Sequence, residues 1–262
     1  MSNNELLIER YELKYRIPPP LVVPIRQSIQ KYCRPDSASA SGPYLISSLY
    51  LDSPDRVLYQ DTKEAEAKRF KLRIRRYSTG PYFIECKRRE KDVISKARTA
   101  IPGSAWPMVL TRPRGANAIE GEKNRRNLAD FIERMHRINA EPACVVRYRR
   151  EAWVSRIDDY GRVTFDYGLC GHAPIGWDVP IDGPGWVPLD QPGRFGLAES
   201  GVVLELKCTT QVPLWMSDLV RRFGLVRQGF SKYCAALEGT YQDSLPRFVP
   251  AEPARFAFRS RP

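Results

Sequence analysis

The chain has 262 residues, of which 42 are Lys or Arg and 30 are Asp or Glu, a net charge of +12. Hydrophobic residues are 42% and charged residues 27%, which excludes a disordered chain. No apolar run approaches the ~18 residues of a membrane span, and the N-terminal MSNNELLIERYELKY lacks the basic flank and apolar stretch of a secretory signal.

Residues 5–17 alternate in period two and predict a strand. Residues 19–33 place Leu21, Ile25, Ile29 and Tyr32 at helical spacing, with Pro24 where a first turn tolerates it. Strands are predicted over 44–52, 69–77, 81–88 and 93–100, with turn chemistry at Asp52-Ser53-Pro54-Asp55 and Ser78-Thr79-Gly80-Pro81. Leu128, Phe131, Ile132, Met135 and Ile138 share one face of a helix predicted over 117–138. Strands resume at 143–156, 160–168 and 202–209, separated by a Gly-, Pro- and Trp-rich loop over 171–201. Pro213 opens a helix carrying Trp215, Leu219, Val220 and Phe223, and a last helix covers 231–241. Residues 1–242 are expected to form one domain, and the Pro- and Arg-rich 243–262 a poorly ordered tail.

The six Cys are scattered with no C-x-x-C, and only two His are present. A disulfide framework, a zinc site and a His-rich centre are therefore not expected, and a reducing cytoplasm fits. Gly224 to Gly229 is followed by Phe230-Ser231-Lys232, so it is no P-loop. Trp177 and Trp186 are read as loop packing rather than as a base-stacking pair.

A charge of +12 points to an anionic partner: nucleic acid, a membrane surface or a phosphate-rich small molecule. Placement of the charges is more informative. Glu12-x-Lys14, Arg73-x-Arg75, Glu85-x-Lys87, Lys96-x-Arg98 and Glu205-x-Lys207 all lie on predicted strands. Residues i and i+2 of a strand share a face, so each pair projects to one side. Leu13, Leu72, Ile74, Ile84, Cys86, Leu204 and Leu206 occupy the other side. The plain alternative is a half-buried sheet with its polar face in water. Such a face normally mixes in Thr, Ser, Asn and Gln, which are scarce here. A sheet rolled into a barrel would instead gather the charges in a lumen. A lumen lined by Lys and Arg calls for a polyanion, and the interspersed carboxylates suggest a hard divalent cation, Mg²⁺ or Mn²⁺.

In chain order, Glu12-Leu-Lys14-Tyr15, Ser48-Leu-Tyr50-Leu-Asp52, Arg73-Ile-Arg75-Arg-Tyr77, Glu85-Cys-Lys87, Ser95-Lys96-Ala-Arg98, Tyr148-Arg-Arg150-Glu-Ala152, Arg162-Val-Thr-Phe-Asp166, Glu205-Leu-Lys207 and Ser231-Lys232-Tyr233 form a series. It resembles the polyphosphate polymerase domain of the vacuolar transporter chaperone (VTC) family, among the triphosphate tunnel metalloenzymes related to CYTH proteins. The resemblance runs from about residue 8 to 237. It implies an α+β fold: a closed antiparallel β-barrel, or tunnel, of about eight strands with covering helices. It implies a phosphotransferase that moves the γ-phosphate of ATP onto a growing polyphosphate chain with Mn²⁺ or Mg²⁺. ATP and polyphosphate or tripolyphosphate are the implied partners.

The implied catalytic residues are Lys14, Arg73, Arg75, Lys87, Arg150 and Lys207. Lys96, Arg98, Arg162, Lys232, Tyr50 and Tyr148 would bind substrate. Glu205 would be the main metal ligand, helped by Glu12 and Glu85. CYTH enzymes begin Glu-x-Glu-x-Lys, whereas this chain has Arg10-x-Glu12-x-Lys14, which argues against a simple triphosphatase. In 143–156 the family pattern selects Tyr148 and Arg150 over Arg147 and Arg149 on the opposite face. The sensing and membrane segments joined to eukaryotic polymerase subunits are not expected in this chain, and a membrane partner stays open. A metal-dependent triphosphatase and a non-catalytic polyphosphate- or nucleic-acid-binding protein are the alternatives. No specific nucleic acid is expected, because no helix-turn-helix, RRM or zinc module is legible.

Overall fold

The computed structural model describes residues 11–90, 93–110, 119–158, 160–191, 201–209 and 211–241. Its elements are β1 (Tyr11–Ile17), α1 (Val22–Ile29), β2 (Cys33–Pro35), β3 (Tyr44–Asp52), α2 (Val57–Lys63), β4 (Lys68–Tyr77), β5 (Tyr82–Glu90) and β6 (Val93–Ile101). There follow α3 (Glu122–Arg137), β7 (Glu141–Ser155), β8 (Arg162–His172), β9 (Val187–Pro188), β10 (Val202–Cys208), α4 (Leu214–Arg222) and α5 (Lys232–Thr240).

Eight strands form one antiparallel path, β1-β10-β8-β7-β3-β4-β5-β6, while β2 pairs with β7 and β9 with β8 beside it. Alternation makes this sheet two-sided. In β4, Leu72 and Ile74 are fully buried on one face, and Lys71, Arg73 and Arg75 project from the other. The apolar faces of β3 to β6 pack beneath Leu128, Phe131 and Met135 of α3. Those of β1, β10 and β8 pack beneath Val22, Ile25 and Ile29 of α1 and Trp215, Met216 and Leu219 of α4. Both cores lie on the convex side, so the helices cover it and the sheet curls away from them.

A third apolar cluster sits on the concave side, where α5 brings Tyr233, Cys234, Ala236 and Leu237 against Ile46, Val146, Leu169 and Val203. A bulge prepares this seat. The β7–β8 register shifts between Arg147 and Arg149, and Gly168 takes φ +56°, a conformation that favours glycine. The phase of β8 therefore changes: Asp166 faces the concave side before the bulge and Leu169 after it. Gly171 then lets the helix come close, since a Cβ there would lie 3.1 Å from Thr240 Oγ1 and 3.4 Å from the Cα of Ala236, both of α5.

The strand count and antiparallel α+β class agree with expectation, but closure takes another form. No backbone ladder among the described residues joins β1 to β6. The gap is spanned by an ion pair from Lys87 of β5 to Glu12 of β1, 2.7 Å. The free edge of β1 is met by the segment before α5, where Gln228 N donates to Lys14 O at 3.0 Å.

Three sequence expectations change. α2 was not foreseen; its first turn is capped by Asp52, which accepts from the amides of Leu58 and Tyr59 at 2.8 and 2.9 Å. β8 runs on to His172, and β9 pairs with it inside the expected loop. The helix predicted from residue 117 begins at Glu122. Residues 5–10, 117–118, 192–200 and the tail 243–262 lie outside the described residues. All six Cys are free, and no helix among the described residues is long and apolar enough to cross a membrane.

Candidate active site: a basic bore with buried carboxylates

The concave face holds two charge clusters. The first is built on β10, β8, β7 and the start of α5. Glu205 receives Lys232 at 2.9 Å, Lys207 at 3.0 Å, Arg150 at 3.5 Å and Lys14 at 4.0 Å. Asp166 receives both arms of Arg150 at 2.7 Å and Lys232 at 2.6 Å. Glu12 joins through Lys14 at 3.3 Å and Lys87 at 2.7 Å. Burial alone would raise the Glu205 carboxyl, but Lys232, Lys207, Lys14 and Arg150 hold it well below the usual carboxylate range. Burial likewise opposes the charge on Lys232, and Asp166 and Glu205 outweigh it and raise its pKa.

The second cluster surrounds Glu85 on β5. Arg73 approaches at 2.5 Å, Lys96 at 2.8 Å, Arg98 at 3.5 Å and Arg75 at 3.8 Å. Burial would raise Glu85, but Arg73, Arg75 and Lys96 hold it far below its ordinary value. Arg73 also donates to the Tyr50 hydroxyl at 3.1 Å, and Tyr50 stacks on Tyr233 of α5 with 5.2 Å between ring centroids.

Tyr148 lies between the clusters. Arg150 stands 5.3 Å and Lys232 5.1 Å from its ring centroid. Burial would raise its phenol, yet Arg150 and Arg75 prevail and lower it, so cations of both clusters reach this ring. The named bore cations outnumber the carboxylates Glu12, Glu85, Asp166 and Glu205 more than two to one. Lysines register the imbalance. Burial, with Lys14 and Lys207 nearby, lowers the Lys87 amine below its ordinary value despite its bond to Glu12. Ser48 Oγ, opposite Arg75, and Thr164 Oγ1, opposite Glu205, are buried without a hydrogen bond, as is Arg75 Nε. Each is a buried polar group whose hydrogen-bonding capacity the protein does not use.

The site residues expected from sequence thus converge, with one set apart: Arg162 is exposed at the rim, beside the Tyr160 ring. Arg150 faces the bore, whereas Arg147 faces the convex side, donating to Ile181 O and lying under Trp186. Trp177 and Trp186 both pack on the convex core, away from the bore. Arg10 lies outside the described residues. Sequence reasoning quoted Asp166 without giving it a role; it shares a strand face with Arg162, and period two was the available signal.

An antiparallel sheet rolled around a basic, ion-paired bore defines the class of this protein. Within that class the chain belongs to the VTC domain family, whose model matches residues 9–241. No curated protein sequence matches it. Among solved structures it is similar to an adenylate cyclase candidate from Vibrio parahaemolyticus, at 15% identity over 86% of this chain and 95% of that one, TM-score 0.44. HpAC1 of Hippeastrum, described by a dominant triphosphatase activity, shares 17% identity over 92% and 98% of the two chains, TM-score 0.45. The Mimivirus capping enzyme triphosphatase shares 12% over 84% and 90%, TM-score 0.34.

Proposed function

We propose that the bore binds a chain of phosphates and that the protein is a polyphosphate polymerase, moving the terminal phosphoryl group of ATP onto polyphosphate. One observation carries this reading: cations from β1, β4, β5, β6, β7, β10 and α5 converge on one concave face in excess of its carboxylates. Like charges ~4 Å apart repel by roughly 4 kcal/mol at an effective dielectric of ~20. A polyanion relieves that repulsion. The match to the VTC family supports the phosphate chain as the polyanion. We also read residues 1–242 as one domain, in line with the span of that match.

Phosphoryl transfer is mostly positioning and charge neutralisation. Arg73, Arg75 and Arg150 offer forked donors for phosphate oxygens, and Lys14, Lys87, Lys96, Lys207 and Lys232 offer point charges. Arg98 and the rim residue Arg162 would draw the chain in, while Tyr50 and Tyr148 shape the wall. The acceptor oxygen is already anionic, so no Ser, Cys or His nucleophile is required. Holding two anions together is the main barrier, and the basic lining lowers it.

The donor set fits a divalent cation shared with substrate. Glu12 and Glu205 both reach Lys14 Nζ, and Asp166 sits beside Glu205 across Lys232. No group of three or more His, Cys, Asp or Glu side chains among the described residues could hold a metal ion by itself. Phosphate oxygens would complete the shell, as is common for Mg²⁺. We assign Glu205 and Glu12 as its ligands. Glu85, proposed from sequence as a further ligand, is ringed by four cations as Glu205 is, but only Glu205 shares its lysines with other carboxylates, Glu12 through Lys14 and Asp166 through Lys232; we therefore read Glu85 as a counter-ion. When bound, the metal offsets negative charge on the phosphates.

The test is direct. Purified protein is incubated with ATP and Mn²⁺ or Mg²⁺, and products are resolved by length on a gel. A ladder of phosphate chains is expected. Release of orthophosphate alone would make the protein a triphosphatase, and neither product would leave it a binding protein.

A further inference from the structure

The bore lysines 14, 87, 96, 207 and 232 each lie against a carboxylate. Lys71 of β4 is held differently. Its Nζ donates to Ser231 Oγ at 2.9 Å and stands 6.0 Å from the centroid of the Tyr233 ring. The charged groups facing it are all cations: Lys14 from β1, Lys87 from β5 and Arg69 from its own strand; the Cys234 thiol of α5, its pKa raised by burial, is neutral near pH 7. Ser231 is the N-cap of the nine-residue α5, and its Oγ also accepts from the Cys234 amide at 3.3 Å. The positive end of the helix dipole therefore adds to three cations at this point. A part-buried lysine, held without a carboxylate among the described residues, and a helix N-terminus meet at Ser231, and both favour an anion there.

We propose that Lys71 and the N-terminal end of α5 form an anion subsite at the α5 end of the bore, which anchors one phosphate group of the bound chain. The proposal rests on the polyanion reading above and extends it to a residue without an assigned role. Burial, reinforced by Lys14, Lys87 and Arg69, pushes the Lys71 amine down to about 7. Near neutral pH the empty subsite is a mixture of amine and ammonium. An arriving phosphate group favours the ammonium, so the deprotonated fraction of Lys71 takes up a proton from solvent as the chain binds, a net uptake of less than one proton per site.

The experiment is calorimetric titration of tripolyphosphate at pH 7.5 in two buffers of different ionisation enthalpy, with wild type, Lys71→Met and Lys71→Arg. Circular dichroism checks that each variant is folded. Lys71→Met should weaken binding about tenfold, ~1.4 kcal/mol, and reduce proton uptake relative to wild type. Lys71→Arg should keep the affinity and show the same reduced uptake, because arginine does not titrate in this range. A structural role alone would leave uptake unchanged. Uptake equal to wild type in the folded variants, or unchanged affinity in Lys71→Met, overturns the subsite. If Lys71→Met does not fold, Lys71→Arg decides the question through uptake alone. Wild type that does not bind tripolyphosphate overturns the polyanion reading first, and the subsite with it.

Discussion

Neighbouring cations in this bore are equally buried but ion-paired to different degrees, and that separates function from stability residue by residue. Arg75 is buried, its Nε makes no hydrogen bond, and its closest carboxylate, Glu85, is 3.8 Å away. Its removal leaves Glu85 with Arg73, Lys96 and Arg98. Arg75→Ala should cut polymerase turnover by ~100-fold or more, as for loss of a transition-state donor, while the melting temperature moves only slightly. Equal turnover in the two proteins would remove Arg75 from the site. Lys232 is the opposite case, bonded to both Asp166 and Glu205 inside the fold. Lys232→Met leaves two buried carboxylates short of a cation, a change that costs about 3–5 kcal/mol. Urea unfolding reads this without any substrate, and an unchanged midpoint would show that Arg150 and Lys207 suffice.

Among the elements, α1 is tied to β7 by one polar knot. Arg26 of α1 donates to both oxygens of Glu151 at 2.7 and 2.8 Å, and Trp153 and Tyr167 add bonds of 2.8 and 2.7 Å. Burial would raise the Glu151 carboxyl, but the bonds from Arg26, Tyr167 and Trp153 bring it below its ordinary value. A carboxyl depressed on folding stabilises the protein above its unfolded pKa of ~4.3 and loses that contribution as pH falls through its folded value. Glu151→Gln should therefore cost about 2 kcal/mol at neutral pH and flatten the acid limb of a urea-midpoint profile. An acid limb identical to wild type would assign the pH dependence to the bore carboxylates instead.

The elements also show how far the sequence could be read. Period-two strands such as β4 and β5 were legible because each needs only its own alternation of Leu, Ile and charge. The opposed faces of Arg149 and Arg150 followed from the same rule. α2 was not legible, because its first turn depends on Asp52 and its packing on α5, far along the chain. The division of carboxylates was hidden for a similar reason. Glu12, Glu85 and Glu205 have the same local pattern; the β4–β5 register sets Glu85 opposite Arg73, whereas the packing of α5, distant in sequence, brings Lys232 to Glu205. Lys71 was visible as one more strand charge, but nothing local foretold its contact with Ser231.

For the molecule as a whole, the basic bore means that the ligand is part of the stability. Tripolyphosphate should raise the melting temperature, equivalent to ~2.7 kcal/mol when ligand exceeds its Kd a hundredfold. The gain should shrink with added salt, as for any contact between opposite charges open to water. On the phosphate-chain reading, duplex DNA should give a smaller rise at equal phosphate. A larger one would return the +12 charge to the nucleic-acid reading.

The joint between β1 and β5 has a mechanical meaning. Elsewhere along the path the wall is stitched by backbone amides, which neither salt nor mild acid undoes. Along this single line it is fastened by Glu12 to Lys87 and by the strap around Gln228 that leads into α5. Among the described residues this is the one line of the wall without a backbone ladder, so fewer bonds resist its separation there than between any two paired strands.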